Sequence, residues 1–394
     1  RIYMKYIMIA FLVLFSTVAN AKVKDYGCEI PWRESPNEET IEFYLDRYLD
    51  RDCSKKNHKV KVKADTNYIK WYDDKGATTY EVVTDEMSKD AIGLLSYMKY
   101  DNGKITIDQT NDKYDYDTSK QWHSQSVGKS VVSYMTGHAI CKGYIDNGIN
   151  HLVTMPMIEN TLYNNQKLID LLNMNAGDQH LVGQNGFVKH SKWKWINEPS
   201  VPKTMKKVFK GSEQLYKTYN YNNLVPNLIF TYLAYKTDDE FEDFLQSFFN
   251  KVGIENDVWF VKQPEAKKKE LSYWYYFFAT KYDYMRLSVE MLNDWNNNTC
   301  EGQYLKSLYE NRIQKHNGEK YFGVKACICG LSTAYGGQFH MELPGARNRE
   351  MFLMDGYGGN VTVIDFENNK ILQVLSVHRN YDWKTIIEKE YVSW

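Results

Sequence analysis

Segments that read as β-strands gather near the two ends of this 394-residue chain, and helical patterns fill the space between. Toward the beginning, the apolar runs Ala91 to Tyr100 and Ile105 to Asp108 flank Asp101-Asn102-Gly103-Lys104. Asn-Gly between two such runs predicts a β-hairpin, because the tight turn needs residues that tolerate positive φ. Toward the end, residues 337–343, 350–354, 360–366 and 371–377 read as four strands, and 383–391 as a closing helix. Strands that must each bury a face are most economically joined in one sheet. The predicted class is therefore α+β: a mostly antiparallel sheet built from both chain ends and flanked by helices, with an inserted mainly helical domain. The sheet subdomain takes about 89–115 and 336–394 and the helical subdomain about 116–335, where the patterns from 126 to about 315 are mostly helical. Residues 22–88 read as a polar N-terminal extension with one helix, Glu38 to Asp50.

Composition narrows the function classes. The chain is 43% hydrophobic and 15% aromatic, enough for a large core. Its formal net charge of −1 comes without a basic block, which argues against nucleic acid as a partner. Residues 1–21 read as an export signal: an apolar stretch from Tyr6 to Val18, then the small-x-small site Ala19-Asn20-Ala21. That stretch is about 13 residues, short of the roughly 20 that span a bilayer. Cleavage after Ala21 would leave no stable membrane span and a periplasmic or secreted protein. Export makes the six cysteines candidates for disulfides. Cys28 could pair with Cys53, and Cys300 with Cys327 or Cys329, while Cys141, on an apolar helix, reads as a buried free thiol. Cys327-Ile328-Cys329 lacks the companions of a zinc pattern, so no metal site is expected.

The chemistry points to Ser126-Val127-Gly128-Lys129, which opens the apolar, small-residue run from Ser130 to Ile140. A helix starting near Ser126 puts the positive dipole end beside its hydroxyl. It also puts Lys129, three residues on, on the same face. A hydroxyl beside a shielded amine is a plausible activated nucleophile. Ser-x-x-Lys recurs at Ser96, Ser191 and Ser200, but none of these opens a long apolar run.

These elements together resemble the serine β-lactamase and penicillin-binding-protein-like superfamily, in the branch with class C enzymes, esterases and 6-aminohexanoate-dimer hydrolases. The resemblance runs from about Ile92 to the end of the chain. The hairpin followed by Ser126 to Ser130 matches the first motif in position. Leu171-Leu172-Asn173-Met174-Asn175-Ala176-Gly177 looks like the Leu-Leu-x-Met-x-Ser-Gly element, with Ala for Ser. Tyr221-Asn222-Asn223 matches Tyr-x-Asn, with Tyr219 as the alternative if the register slips. Thr280-x-x-Asp283-x-x-Arg286 resembles a helix-opening element, read as a capped helix with a local ion pair. Gly356-Tyr357-Gly358-Gly359-Asn360 resembles Gly-x-Gly-Gly-Gln at the third motif, where Met354 replaces the usual cation.

The resemblance implies a serine hydrolase that acts on a small ester or amide through an acyl-enzyme on Ser126 and needs no cofactor. Lys129 would accept the Ser126 proton as a neutral amine, and Tyr221 would relay it. Asn223, Gly356, Tyr357 and Gly358 would bind substrate, with the Ser126 and Tyr357 N–H groups as oxyanion hole. The missing cation argues against the alternatives of a β-lactamase or penicillin-sensitive D,D-peptidase. A catalytically silent ligand-binding protein of the same fold is the other alternative. Loops at 173–213 and 256–275 would line the mouth of the site.

Overall fold

A computed structural model describes residues 41, 45, 59–64, 67–69, 71–73, 79–114, 116–183, 188–190, 193–196, 200–263, 272–315, 327–377 and 383–394. The expected export segment, Cys28, Cys53 and most of the expected helix at 38–50 lie outside them.

The two chain ends meet in one sheet. The hairpin forms as expected, from β3 (Leu94–Asp101) and β4 (Lys104–Thr110), with Asn102 at φ 47° and Gly103 at φ 94° in its turn. The C-terminal strands are β10 (Phe339–Met341), β11 (Met351–Gly356), β12 (Asn360–Asp365) and β13 (Lys370–Ser376). They are preceded by β8 (Ile313–Gln314) and β9 (Ala334–Gly336). With β2 (Tyr72–Asp73), the order across the sheet is β8-β9-β10-β11-β12-β13-β3-β4-β2. Strand β13 sits between β12 and β3, antiparallel to both, so it joins the last part of the chain to the first. Among the described residues of this sheet, only the β2–β4 pair is parallel. Neighbouring residues of β11 serve different cores: Phe352 and Met354 join the large one, and Leu353 joins a smaller one with Trp383 and Ile387. This is the period-2 alternation of a strand covered on both faces.

The region 126–315 is mostly helical as expected, but it also contributes two strands to a second sheet that the sequence reading did not anticipate. Strands β1 (Lys59–Val62), β5 (Trp122–His123), β6 (Val258–Lys262) and β7 (Tyr273–Ala279) pair in the order β1-β6-β7-β5. Every residue of β6 is buried. A strand buried on both faces carries no alternation to distinguish it from a helix segment. The expected loop at 256–275 thus contains β6 and the start of β7, and Trp259 packs on Phe278 rather than lining a mouth. Strands β1 and β2 show that part of the 22–88 extension belongs to the two sheets.

The helices begin with α1 (Glu81–Met87) and α2 (Val127–Cys141), which is buried at every residue from Val127 to Ala139. A helix buried on every side lies in the core, and its polar side chains there need partners. Helix α2 packs against β7, β11, α3 (Leu224–Thr237) and α6 (Cys300–Glu310). Helices α4 (Phe241–Val252), α5 (Lys281–Asn297) and the closing α7 (Lys384–Val392) complete the set used below. Helix α5 opens as expected: Thr280 caps it by accepting from the Asp283 N–H at 3.2 Å, and Arg286 pairs with Asp283 at 2.8 Å. No described helix is long and apolar enough to cross a membrane.

The described cysteines pair differently from expectation. Cys141, at the end of α2, is joined to Cys300, at the start of α6, with Cα atoms 5.8 Å apart. It is therefore not a free thiol, and Cys300 does not reach Cys327 or Cys329, which pair with each other. The sequence reading missed this because α2 and α6 become neighbours only through tertiary packing.

Candidate active site

The turn before α2 is built to present Ser126. Ser124 exchanges backbone and side-chain hydrogen bonds with Phe277 of β7, both at 2.9 Å. Gln125 sits at φ 50°, a left-handed conformation that costs a non-glycine residue about 1–2 kcal/mol. Its N–H donates to His123 Nδ1 at 2.9 Å, which holds the turn in place. Burial pushes His123 down to about 3, so this imidazole stays neutral and can accept. Ser126 then enters the helix half-exposed, while Lys129, one turn later, is 1% exposed.

Gly128 allows β7 to come this close. A Cβ there would lie 2.5 Å from the Tyr275 carbonyl oxygen and 2.9 Å from the Tyr276 Cα. No side chain fits in that space. The same approach brings the Tyr275 ring beside Lys129, with Nζ 4.6 Å from its centroid. The glycine of the motif thus acts through packing, and the residue it admits is one the sequence reading did not select.

Four oxygens surround the Lys129 amine. Its Nζ lies 2.8 Å from Ser126 Oγ, 3.0 Å from Tyr221 OH, 2.6 Å from Asn223 Oδ1 and 3.3 Å from Tyr275 OH. The Tyr275 hydroxyl donates to Asn223 Oδ1 at 3.0 Å, which leaves its oxygen to accept from the amine. An ammonium has three N–H groups for these four acceptors. In the neutral amine, two N–H groups can satisfy Asn223 and Tyr275, which leaves the single lone pair to accept from either Ser126 or Tyr221. Tyr221 is held above the ordinary phenol range, by burial first and by the nearby Asp355 carboxyl, with the Ser126 hydroxyl acting against them. It is therefore a phenol at neutral pH, an acid rather than a standing base. Tyr219, the alternative, packs on Tyr335 instead.

The element Leu171 to Gly177 supports the loop that carries Tyr221 and Asn223. Met174 O accepts from the Asn220 N–H at 2.8 Å, and the Asn220 side chain donates to the buried Asp178 at 2.8 Å. Tyr163 donates to the other oxygen of Asp178, also at 2.8 Å. Asn173 ties the same element to the sheet by accepting from the Gly337 N–H at 2.7 Å.

The third side of the site is the end of β11. At Gly356 a Cβ would sit 2.9 Å from the Ser124 carbonyl oxygen and 3.2 Å from Gln125 Cβ. The strand therefore abuts the turn that presents Ser126. Tyr357 is half-buried, and Gly358, at φ 88°, turns the chain back toward β12. Met354 is 2% exposed in the core, so β11 supplies no cation.

A cation does lie nearby, on a different segment. Lys315 donates to Cys329 O at 2.6 Å, Ser332 Oγ at 2.5 Å and His340 Nδ1 at 3.1 Å. All three of its N–H groups are thereby taken by the protein. His340 is held well below its ordinary range by burial, with Lys315 and Lys129 adding to the effect. Asp355 is pushed up to about 7 by burial, against the pull of the same two lysines. Cys327, Cys329 and Asp355 gather within 4.8 Å, but their sulfurs are joined in a disulfide, which removes the thiolates a metal would need.

No family model and no curated protein matches this chain. Solved structures do. A protein from Bacillus anthracis, assigned as a 6-aminohexanoate-dimer hydrolase, superposes with a TM-score of 0.60 at 13% identity, over 91% of this chain and 97% of that one. A β-lactamase from Sulfitobacter sp. EE-36 gives 0.54 at 12% identity, over 76% and 91%. A penicillin-binding protein from Bacillus halodurans gives 0.51 at 10% identity, over 80% and 99%. At such identities the likeness is one of fold: this chain has the fold shared by serine β-lactamases, penicillin-binding proteins and 6-aminohexanoate-dimer hydrolases.

Proposed function

We propose that this protein is an exported serine hydrolase that cleaves an ester or amide bond of a small substrate through an acyl-enzyme on Ser126. The observation that carries the reading is the Lys129 amine, held within 3.0 Å of both the Ser126 and the Tyr221 hydroxyl oxygens. Ser126 Oγ attacks the carbonyl carbon while its proton passes to the neutral Lys129 amine. The bond to the leaving oxygen or nitrogen then breaks, and that atom takes a proton from Tyr221, which Lys129 replenishes. Water reverses the sequence and frees the acid. The N–H groups of Ser126 and Tyr357 are assigned to the developing oxyanion by likeness to the fold family. Export is supported by the signal-like residues 1–21 and by the Cys141–Cys300 disulfide.

The geometry favours an esterase or amidase over a penicillin-recognising enzyme. The place of a carboxylate-holding cation is taken by the apolar Met354, with the acidic Asp355 beside it. The test is intact mass and peptide mapping after exposure to a fluorophosphonate and, separately, to a penicillin. A fluorophosphonate adduct on Ser126, lost in Ser126→Ala, together with ester or amide turnover is the expected result. Absence of labelling in folded protein refutes it, and a penicillin adduct moves the assignment to the penicillin-recognising class. N-terminal sequencing of protein recovered after export checks cleavage after Ala21.

A further inference from the structure

The two described disulfides differ in what they can do for stability. The constraint a disulfide places on the unfolded chain grows with the loop it closes. Cys141–Cys300 has a sequence separation of 159, whereas Cys327–Cys329 spans a separation of 2. The first is a staple. The second restricts the unfolded chain very little, so its place in the fold calls for another reason.

Its surroundings supply one. Both sulfurs lie within 4.8 Å of a carboxylate oxygen of Asp355. Asp355 Oδ1 is buried with no hydrogen-bond partner among the described residues, which costs free energy. The disulfide has no hydrogen to offer, but the reduced pair would bring two S–H donors to this place. Cys327 Sγ already accepts from the Gly330 N–H at 3.1 Å, a bond that favours a thiolate there. Cys327 is 9% exposed and Cys329 7%, and Leu331 on the same turn is 38% exposed, so the turn that carries the disulfide reaches the surface.

The same turn holds a cation behind the site. Cys329 O accepts from Lys315 Nζ at 2.6 Å and from Ser332 Oγ at 2.7 Å. Lys315 also donates to His340 Nδ1 at 3.1 Å. The His340 ring lies against Tyr221, with centroids 6.0 Å apart, and against Tyr335 at 5.0 Å. An unbroken run of contacts thus leads from the disulfide through Lys315 and His340 to the Tyr221 ring.

We propose that Cys327–Cys329 is a thiol-exchange site that controls the Ser126 site: the closed ring holds Lys315 and His340 behind Tyr221, and reduction by a small thiol releases them and lowers turnover. The proposal rests on the serine-hydrolase reading for what is controlled, but not for the exchange. In the first step a thiolate attacks Cys329 Sγ, the S–S bond breaks, and Cys327 leaves as the thiolate held by the Gly330 N–H. Asp355, raised by burial to about 7, is placed to give that thiolate a proton. A second thiol attacks the mixed disulfide and frees Cys329 as a thiol. Two small thiols are oxidised to their disulfide, and the protein disulfide is reduced to two thiols.

The experiment titrates the native protein with dithiothreitol, caps free thiols with iodoacetamide and maps them by mass. Cys327 and Cys329 are expected to be capped at roughly tenfold lower dithiothreitol than Cys141 and Cys300, although Cys300 is the exposed one. Over the same range, turnover of an alkyl ester should fall roughly tenfold and return on reoxidation with oxidised glutathione, while turnover of the p-nitrophenyl ester of the same acid, whose leaving group needs no proton, should change little. Cys327→Ser with Cys329→Ser should show the low alkyl-ester activity without any response to dithiothreitol. Opening of Cys141–Cys300 first, or capping of Cys327 and Cys329 with unchanged turnover, overturns the proposal, as does an equal loss on both esters. If the oxidised protein shows neither turnover nor Ser126 labelling, the hydrolase reading fails and the mapping decides the exchange alone: preferential, reversible capping of Cys327 and Cys329 supports it, and its absence overturns it. The mapping uses the unaltered protein, so it stands even if the Ser variant does not fold.

Discussion

Two tyrosine hydroxyls reach Lys129, and their geometry assigns them unequal parts. Tyr221 lies 3.0 Å from the amine, whereas Tyr275 lies 3.3 Å away and donates its proton to Asn223. Replacing Tyr275 with Phe removes one donor to Asn223 and one acceptor for Lys129, but keeps the ring that packs over the amine. Lys129 retains three acceptors. The loss is then that of about one hydrogen bond, ~0.5–1.5 kcal/mol, or roughly 2- to 12-fold in kcat/KM. Replacing Tyr221 with Phe removes the acid proposed to protonate the leaving group, which is worth about 10²–10⁴-fold. The assay compares p-nitrophenyl and simple alkyl esters of one acid. A p-nitrophenolate leaves without a proton, so Tyr221→Phe should cost much more on the alkyl ester, while Tyr275→Phe should cost about the same on both. If Tyr275→Phe loses as much as Tyr221→Phe and shares its leaving-group dependence, the roles assigned here are wrong.

Other outcomes follow from the packing and the charges. Gly128→Ala forces a methyl against the β7 backbone, and should destabilise the fold by about 1–3 kcal/mol or more and slow Ser126 labelling, both measurable on one preparation. Asp355 has a folded-state value raised to about 7 against about 3.9 unfolded, so the folded state binds more protons between these limits. Its contribution to stability is therefore fully present below about pH 4 and is lost as the pH rises through 7; denaturant titrations should show that fall flattened in Asp355→Asn. Replacing Cys141 and Cys300 together with Ser should lower stability by about 2–5 kcal/mol, read from the urea midpoint.

The residues that gather around the Lys129 amine were legible in the sequence because each sits in a context that restricts it. Ser126 and Lys129 open an apolar helix, and Tyr221 and Asn223 precede another, so the spacing and the secondary structure agreed. The strands of the C-terminal sheet were legible from their turns. Tyr275 was not: it lies in Tyr-Trp-Tyr-Tyr-Phe-Phe, where no residue stands out, and only the close approach of β7 across Gly128 gives it a role. The second sheet was hidden for a related reason, since strands buried on both faces lose the alternation that announces them. Lys315 and Asp355 come together through tertiary packing between segments whose local sequence carries no sign of it.

The position of β13 also sets a timetable for the chain. The hairpin of β3 and β4 closes locally, but the other edge of β3 is filled only by β13, whose partners lie about 270 residues away. At ribosomal rates of about 5–20 residues per second, that edge waits roughly 15–55 s for its neighbour. Until then the nascent protein cannot complete its main sheet, and it offers an unpaired, apolar strand to anything that can cap it. If the protein is exported as proposed, that delay keeps the chain unfolded long enough to be threaded through a membrane.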